Sequence, residues 1–374
     1  MAQIYKKQGS WAVRVYFDEN GKRKSKNKQG FRTKKEAEIY AADLETKKNT
    51  SGISSQLDIS FADYLSEWIN TYKVGKYAKN TEDRYKRTAL LIHDYFGNSK
   101  LKNISRQQYQ RFLDQYASKH AKNTVTRVNS VVRACVTDAM DDRIIFSDFT
   151  RHAHISGLES KASDLKFLQL AEIRKIKEIA AFKASIKAIA YYEILFAIDT
   201  GARYGEIAGM TWDCVNFVDN EITICKSYDY INRTGFKATK NKQSIRTISI
   251  SPFLSTMLRK LKKEQAEYFL SHGYKNDLNL VFISYKRSVP SSNGANKVLR
   301  SILADINAVN QNVGMHGLRH THASILINKG ILIDYVSERL GHSNVAVTIS
   351  VYRHLLESKR IEESKRAINI LSAL

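Results

Sequence analysis

Between residues 316 and 354 the chain reads HGLRHTHASILINKGILIDYVSERLGHSNVAVTISVYRH, which holds five of its ten histidines. Arg319 lies among them, and Tyr352 sits in a short apolar run. A fold alone seldom needs imidazole, guanidinium and phenol so close together, whereas chemistry on a phosphate does. On a helix, residues 316, 319, 320 and 323 fall on neighbouring turns, so His316 and Arg319 can face one phosphate. His316 and His320 also have the i, i+4 spacing of a metal pair. The glutamate of HExxH is missing and no acidic residue is near, so no metal is expected. Gly341 is read as the C-cap of the next helix, which presents His342. A lone tyrosine in an apolar run is ordinarily core, and it is the company of His316, Arg319 and His342 that marks Tyr352.

A second arginine stands in TGARYGEI, residues 200–207. Two glycines around Arg203 allow a tight turn and a close backbone approach to a ligand. The guanidinium then stands at a helix start, where free N–H groups favour an anion. The alternative is a structural Arg203–Glu206 pair on one helix face. Residues 221–250 read as strands, with Lys237, Lys240 and Lys242 in or beside a turn that can swing a lysine into a DNA groove. Helices over 252–269 and 295–306 and a strand over 280–283 are expected as scaffold.

Upstream, residues 3–17 alternate as strands and Asn20-Gly21 marks a hairpin turn. The following run carries Lys22, Arg23, Lys24, Lys26, Lys28 and Arg32. Residues 33–36 fit a capping box that opens a helix towards Leu44. Such a basic sheet is either a solvated charged hairpin or, the preferred reading, a sheet laid on DNA whose cations neutralise phosphates. Residues 50–58 are small and polar, as in a linker. Phe61, Tyr64, Leu65, Trp68 and Ile69 then follow helical spacing. Three more helices are expected over about 81–95, from Ser105, and from about 123. Lys79, Arg84 and Arg127 lie between their apolar faces as candidate phosphate contacts, although a solvated surface charge is the better reading of any single one. Residues 151–164 read as a second linker, and helices resume near Leu165.

The bulk composition agrees. Lys+Arg 60 against Asp+Glu 37 gives a net charge of +23, which favours a polyanionic partner. Three cysteines without CxxC spacing suggest neither a disulfide frame nor a zinc site, and fit a reducing cytosol. The N-terminus lacks an apolar signal core, and no run approaches ~18 apolar residues, so no membrane partner is expected.

In order and spacing, Arg203, a hairpin lysine, HxLRH at 316–320, LGH at 340–342 and Tyr352 resemble the signature of the tyrosine recombinase (phage integrase) family. The resemblance spans roughly residues 60–374, and residues 1–50 are similar to the arm-binding module of integrases from phages and integrative conjugative elements. It implies a multidomain α+β chain. Residues 1–50 would be a three-stranded sheet plus helix that binds arm-type DNA. Residues 58–152 would be an all-α, SAM-like core-binding domain. Residues 165–374 would be a mixed, mainly α catalytic domain with a small β-sheet and a C-terminal tail helix. The last two would clamp the duplex.

The resemblance further implies that Tyr352 attacks the scissile phosphate, leaving a 3′-phosphotyrosyl link and a free 5′-hydroxyl. Arg203 and Arg319 would fork onto the non-bridging oxygens. His316 would help the phenol ionise, His342 would hydrogen-bond the phosphate, and Glu206 would orient Arg203 or His316. Lys240 would protonate the leaving oxygen, with Lys242 the alternative. No cofactor is implied. Two rounds of attack exchange strands through a Holliday junction. The implied partners are core and arm attachment sites, three further protomers in a tetramer, an excisionase and a DNA-bending host factor, in the cytoplasm of a bacterial host at its nucleoid. The favoured function is integration and excision of a phage or other mobile element. A chromosome-dimer resolvase is the alternative within the family, and a catalytically silent DNA-binding regulator the alternative outside it.

Overall fold

The computed structural model describes residues 2–19, 22–51, 58–159, 167–238 and 242–372. At 17–19, 22–23, 46–51, 238, 242, 353–363 and 366 it describes the backbone alone. The chain divides into two compact units, residues 1–162 and 163–374.

The first unit opens with an antiparallel sheet of β1 (Gln3–Lys7), β2 (Ser10–Glu19) and β3 (Lys22–Phe31). Trp11 pairs with Phe31 while Ala12 pairs with Gln29, which leaves Gly30 as a bulge residue at φ +100°. Such a bulge bends the strand and suits glycine. Val13 and Val15 are fully buried against Ala37, Ala41 and Leu44 of α1 (Lys34–Ser51), a helical stripe closing on one face of a pleat. Thr33 Oγ1 accepts from the Glu36 amide at 3.2 Å. The Glu36 carboxylate reaches back one residue further than expected, to the Arg32 amide at 3.0 Å. α1 also runs on through Thr50 and Ser51, the first two residues of the expected linker. The Asn20-Gly21 turn and linker residues 52–57 lie outside the described residues.

Helices α2 (Phe61–Tyr72), α3 (Lys79–Phe96), α4 (Arg106–Ala117) and α5 (Lys122–Asp141) follow. Their apolar stripes close on one another: Phe61, Leu65 and Trp68 meet Phe96, Phe112 and Val132. The Ser105–Gln108 capping box forms as expected. Buried Trp68 satisfies its indole N–H on Asp138 at 2.6 Å, which a buried polar group requires.

The second unit is built around α7 (Ile189–Thr200), nine of whose side chains are buried. Against it pack α6 (Leu170–Lys183), α9 (Pro252–Ser271), α10 (Ser292–Asp305) and α11 (Met315–Asn328). The short helix α8 (Tyr204–Ala208) leads to an antiparallel sheet β4-β5-β8 (Val215–Asn216, Glu221–Ile224, Arg246–Ser249). A separate hairpin, β6 (Lys226–Tyr228) with β7 (Phe236–Ala238), is inserted between β5 and β8. The chain ends on α12 (Ile333–Leu340) and α13 (Val345–Leu371). Of the second expected linker, residues 160–164 lie outside the described residues.

One scaffold expectation is corrected. Residues 280–283 form no strand, and only Leu280 makes an isolated bridge, to Thr211. Leu280, Val281 and Phe282 are fully buried, so the apolar run reports burial on all sides and not a pleat. Its backbone is satisfied by Met210 O, at 2.8 Å from the Val281 amide, and by the Gln265 side chain on Val281 O at 2.7 Å. Among the described residues no helix is long and apolar enough to cross a membrane.

Candidate active site

Helix α7 stops at Gly201, in the left-handed region at φ 64° and ψ 17°. A Cβ there would lie 2.8 Å from the His322 ring and 2.9 Å from Leu340, so conformation and space both demand glycine. The turn delivers Arg203 as the N-cap of α8. Its guanidinium is partly exposed and donates to Glu206 Oε1 at 2.8 Å and to Gly341 O at 3.1 Å. The Arg203 amide donates to Glu206 Oε2 at 3.0 Å. The pairing of Arg203 with Glu206 and its place beside a second cluster therefore coexist.

Arg319, on the first turns of α11, is 3% exposed. It donates to Gly201 O at 2.8 Å and Leu340 O at 2.6 Å, tying the end of α7 to the end of α12. Burial, then the nearby Arg203, push its pKa down to about 9, so it stays charged at neutral pH. Glu206 is buried too. Burial would raise its pKa, but Arg246 and then Arg203 outweigh that and hold the carboxyl below its ordinary range. Arg246 reaches Glu206 Oε2 at 2.9 Å, Arg339 O at 2.6 Å and Ser244 O at 2.9 Å. Gly341, at φ 66°, leaves room for this side chain, because a Cβ there would fall 2.8 Å from an Arg246 nitrogen. Backbone carbonyls, a carboxylate and three guanidiniums thus fix one another before any ligand arrives.

Tyr352 is 2% exposed and packs with Ala323, Ile327, Val336 and Leu340. Its backbone, at φ −110° and ψ 16°, is non-helical, so α13 is two helical segments joined at a kink on this residue. Burial pushes the phenol up to about 12, against the lowering effect of Arg319. The phenolic oxygen lies 3.1 Å from His320 Nδ1. The His316 ring, on the exposed side, meets the His320 ring edge-on at 4.9 Å and 88°. His342 bonds Thr348 Oγ1 through Nδ1 at 2.7 Å. Its pKa falls to about 4, from burial and then Arg319 and Arg203. Lys240 lies outside the described residues, and Lys242 is described in backbone only, opening the 3-10 turn Lys242–Ser244. Lys237 is engaged with the buried Asp229 at 2.6 Å. Among the described residues no group of three His, Cys, Asp or Glu could hold a metal ion.

Residues 163–359, more than half of the chain, match the model of the phage integrase family. The chain belongs to that family. Residues 3–48 match an arm DNA-binding domain and residues 60–116 the N-terminal SAM-like domain of phage integrases. A tyrosine recombinase XerC-like protein of Caldanaerobacter subterraneus is 27% identical, over 93% of this chain and 92% of its own. The ICEBs1 integrase of Bacillus subtilis is 24% identical, over 91% of each chain. Among solved structures, the integrase of transposon Tn1549 bound to transposon right end DNA superposes with a TM-score of 0.66 at 17% identity, covering 83% of this chain and all of that one. A lambda integrase tetramer bound to a Holliday junction gives 0.55 at 15% identity, over 91% and 95% of the two chains. The fold is that of these tyrosine recombinases, a class of DNA breaking and rejoining enzymes.

The basic residues of this integrase-family chain lie where a polyanion can reach them. Lys24, Lys26, Lys28 and Arg32 are exposed on β3 and just after it, and so are Lys79, Arg84 and Arg127 on α3 and α5. Lys22 and Arg23 open β3, described in backbone only. Sequence reasoning missed two residues. Arg246 sits in an unremarkable strand, SIRTISI, and nothing local announces that its side chain runs back to Glu206. In the sequence, the i, i+4 spacing of His320 from His316 points to a metal pair. The helical phase of His320 relative to Arg319 carried the other signal.

Proposed function

We propose that this chain is a site-specific recombinase that cuts and rejoins DNA through a 3′-phosphotyrosyl intermediate and a Holliday junction, to integrate and excise a phage or other mobile element. The observation that carries this is a buried phenol, Tyr352, on a helix kink beside Arg319, whose fixed guanidinium shares a network with Arg203, Glu206 and Arg246. Preorganised donors of this kind stabilise charge that grows on a phosphorane at little reorganisation cost. In this reading Tyr352 is the nucleophile and Arg203 and Arg319 hold the non-bridging oxygens. His316 and His342 complete the phosphate's surround, and Glu206 orients Arg203. Lys240, with Lys242 as the alternative, protonates the departing 5′-oxygen.

The same reading divides the labour along the chain. Residues 1–50 hold arm-type DNA through the cations of β3, residues 58–152 hold core-type DNA, and residues 165–374 do the chemistry. The match to an arm DNA-binding domain and the DNA-bound forms of related integrases support it. A homotetramer on DNA follows the lambda integrase assembly, and the exposed Ile368, Ile370 and Leu371 of the tail give neighbouring protomers an apolar handle. An excisionase and a DNA-bending host protein would set direction, at the nucleoid of a bacterial cytoplasm.

The test is covalent trapping. The protein is incubated, without metal, with nicked duplex from the junctions flanking its own gene, and run on a denaturing gel. A protease-sensitive adduct that is absent from Tyr352→Phe is expected. Specific binding with no adduct on any such junction would instead identify a DNA-binding regulator.

A further inference from the structure

The imidazole on the phenolic oxygen of Tyr352 is that of His320, with Nδ1 at 3.1 Å. Two other histidines of the cluster direct Nδ1 elsewhere. His342 spends Nδ1 on Thr348 Oγ1 at 2.7 Å, and His322 spends its own on Ile198 O at 2.9 Å. His316 is one helical turn before His320 and touches the edge of its ring. We propose that His320 receives the phenolic proton when Tyr352 attacks phosphate, which makes it a catalytic residue of the cleavage step. The inference rests on Tyr352 being the nucleophile.

The chemical need is plain. With a pKa of about 12, a phenol is ionised to only about one part in 10⁵ at pH 7, so attack requires an acceptor on the oxygen itself. As the Nε2–H tautomer, His320 offers Nδ1 as that acceptor. The Tyr352 oxygen then bonds to phosphorus while its proton moves to Nδ1, giving an imidazolium. The P–O5′ bond breaks, and the departing oxygen takes a proton from the lysine general acid. On resealing, the 5′-hydroxyl returns its proton to the lysine, and His320 hands its own back to the leaving phenol. Groups facing the pair are His316 and Arg319 from α11 and His342 from the turn before α13, while Arg203, Glu206 and Arg246 act on Arg319 behind them. Most are cationic or neutral, which opposes an imidazolium in the free protein. The phosphate's own negative charge offsets them, so proton transfer is coupled to substrate binding.

Asparagine is the discriminating substitution, because its amide sits near the place of Nδ1 and can hydrogen-bond the phenol without accepting its proton. Initial rates of adduct formation on the nicked junction duplex would be measured from pH 5.5 to 9 for wild type, His320→Asn, His320→Phe and Tyr352→Phe. Duplex binding and thermal midpoint would be followed alongside. The wild type is expected to slow on the acid side as one group protonates. His320→Asn should be slower by roughly 10²- to 10³-fold, in the range of general-base catalysis, and lack that acid limb while still binding the duplex. His320→Asn with the wild-type rate and acid limb would overturn the proposal. So would full rate in His320→Asn with loss only in His320→Phe, which would make His320 a positioning residue. A wild type that forms no Tyr352-dependent adduct would remove the underlying reading, and this one with it, which is a different failure from the first two.

Discussion

At the scale of single residues, the site is held by charges that have given up water. Glu206 and Arg246 are both buried and face each other at 2.9 Å. Removing Arg246 leaves the buried Glu206 carboxylate with Arg203 alone, 2.8 Å from Oε1, and the lost charged donor costs about 1–3 kcal/mol. Arg246→Met should therefore lower stability by that order in chemical denaturation, and adding Glu206→Gln should recover part of the loss. Equal and additive losses would mean that the two do not depend on each other. Histidine supplies a second prediction. Burial, then Arg339, push His322 down to about 4, against about 6.5 in an unfolded chain. Between those values the unfolded state binds the extra proton, so stability is fully present above about pH 6.5 and falls as pH drops towards 4. The contribution at stake is of the order of 3 kcal/mol. Denaturation midpoints at pH 7 and 4.5 should differ less in His322→Gln than in wild type.

At the scale of elements, helix α8 can approach hairpin β6–β7 because Gly205 within it and Gly209 at its C-cap carry no side chain. A Cβ on Gly209 would lie 2.9 Å from Ser227 C and from Tyr228 N, and one on Gly205 would lie 2.6 Å from Ser227 Oγ. Gly209→Ala pushes backbone against backbone, which costs about 1–3 kcal/mol and tilts the helix that starts at Arg203. We expect a lowered thermal midpoint together with a loss of strand cleavage larger than that of Gly205→Ala, whose obstacle is a movable hydroxyl. Equal cleavage by both variants would separate the packing from the site.

Much of this architecture was legible in the sequence because periodicity and caps are local. The stripe Phe61, Leu65, Trp68, Ile69 and the Ser105–Gln108 box each specify their helix without help from distant residues. Residues 280–283 misled because four consecutive apolar residues look alike in a strand and in a segment buried from all sides. Within the site, Arg203, Arg319, His342 and Tyr352 were legible by type and order. The Arg246–Glu206 tie spans 40 residues, and the kink at Tyr352 is set by packing against α11 and α12, so neither leaves a local mark. His320 lay in plain view, but its helical spacing from His316 served two readings.

At the scale of the whole molecule, a net charge of +23 meets a polyanion through exposed cations distributed along the chain. Each phosphate neutralised adds about 0.9 to the slope of log affinity against log salt. Replacing Lys24, Lys26 and Lys28 by glutamine should lower that slope by up to about 3 on DNA that includes the arm sequences. It should leave cleavage of the isolated core duplex near wild type. A matching loss on the core duplex would argue that residues 1–50 do not serve a separate DNA segment.

The central claim is that Tyr352 carries DNA covalently. It is tested most directly by trapping the complex on a nicked junction duplex, digesting it with nuclease and protease, and locating the residual nucleotide by mass spectrometry. A nucleotide joined through its 3′-phosphate to the peptide that contains Tyr352 is expected. A nucleotide on any other residue, or one joined through a 5′-phosphate, would contradict that claim.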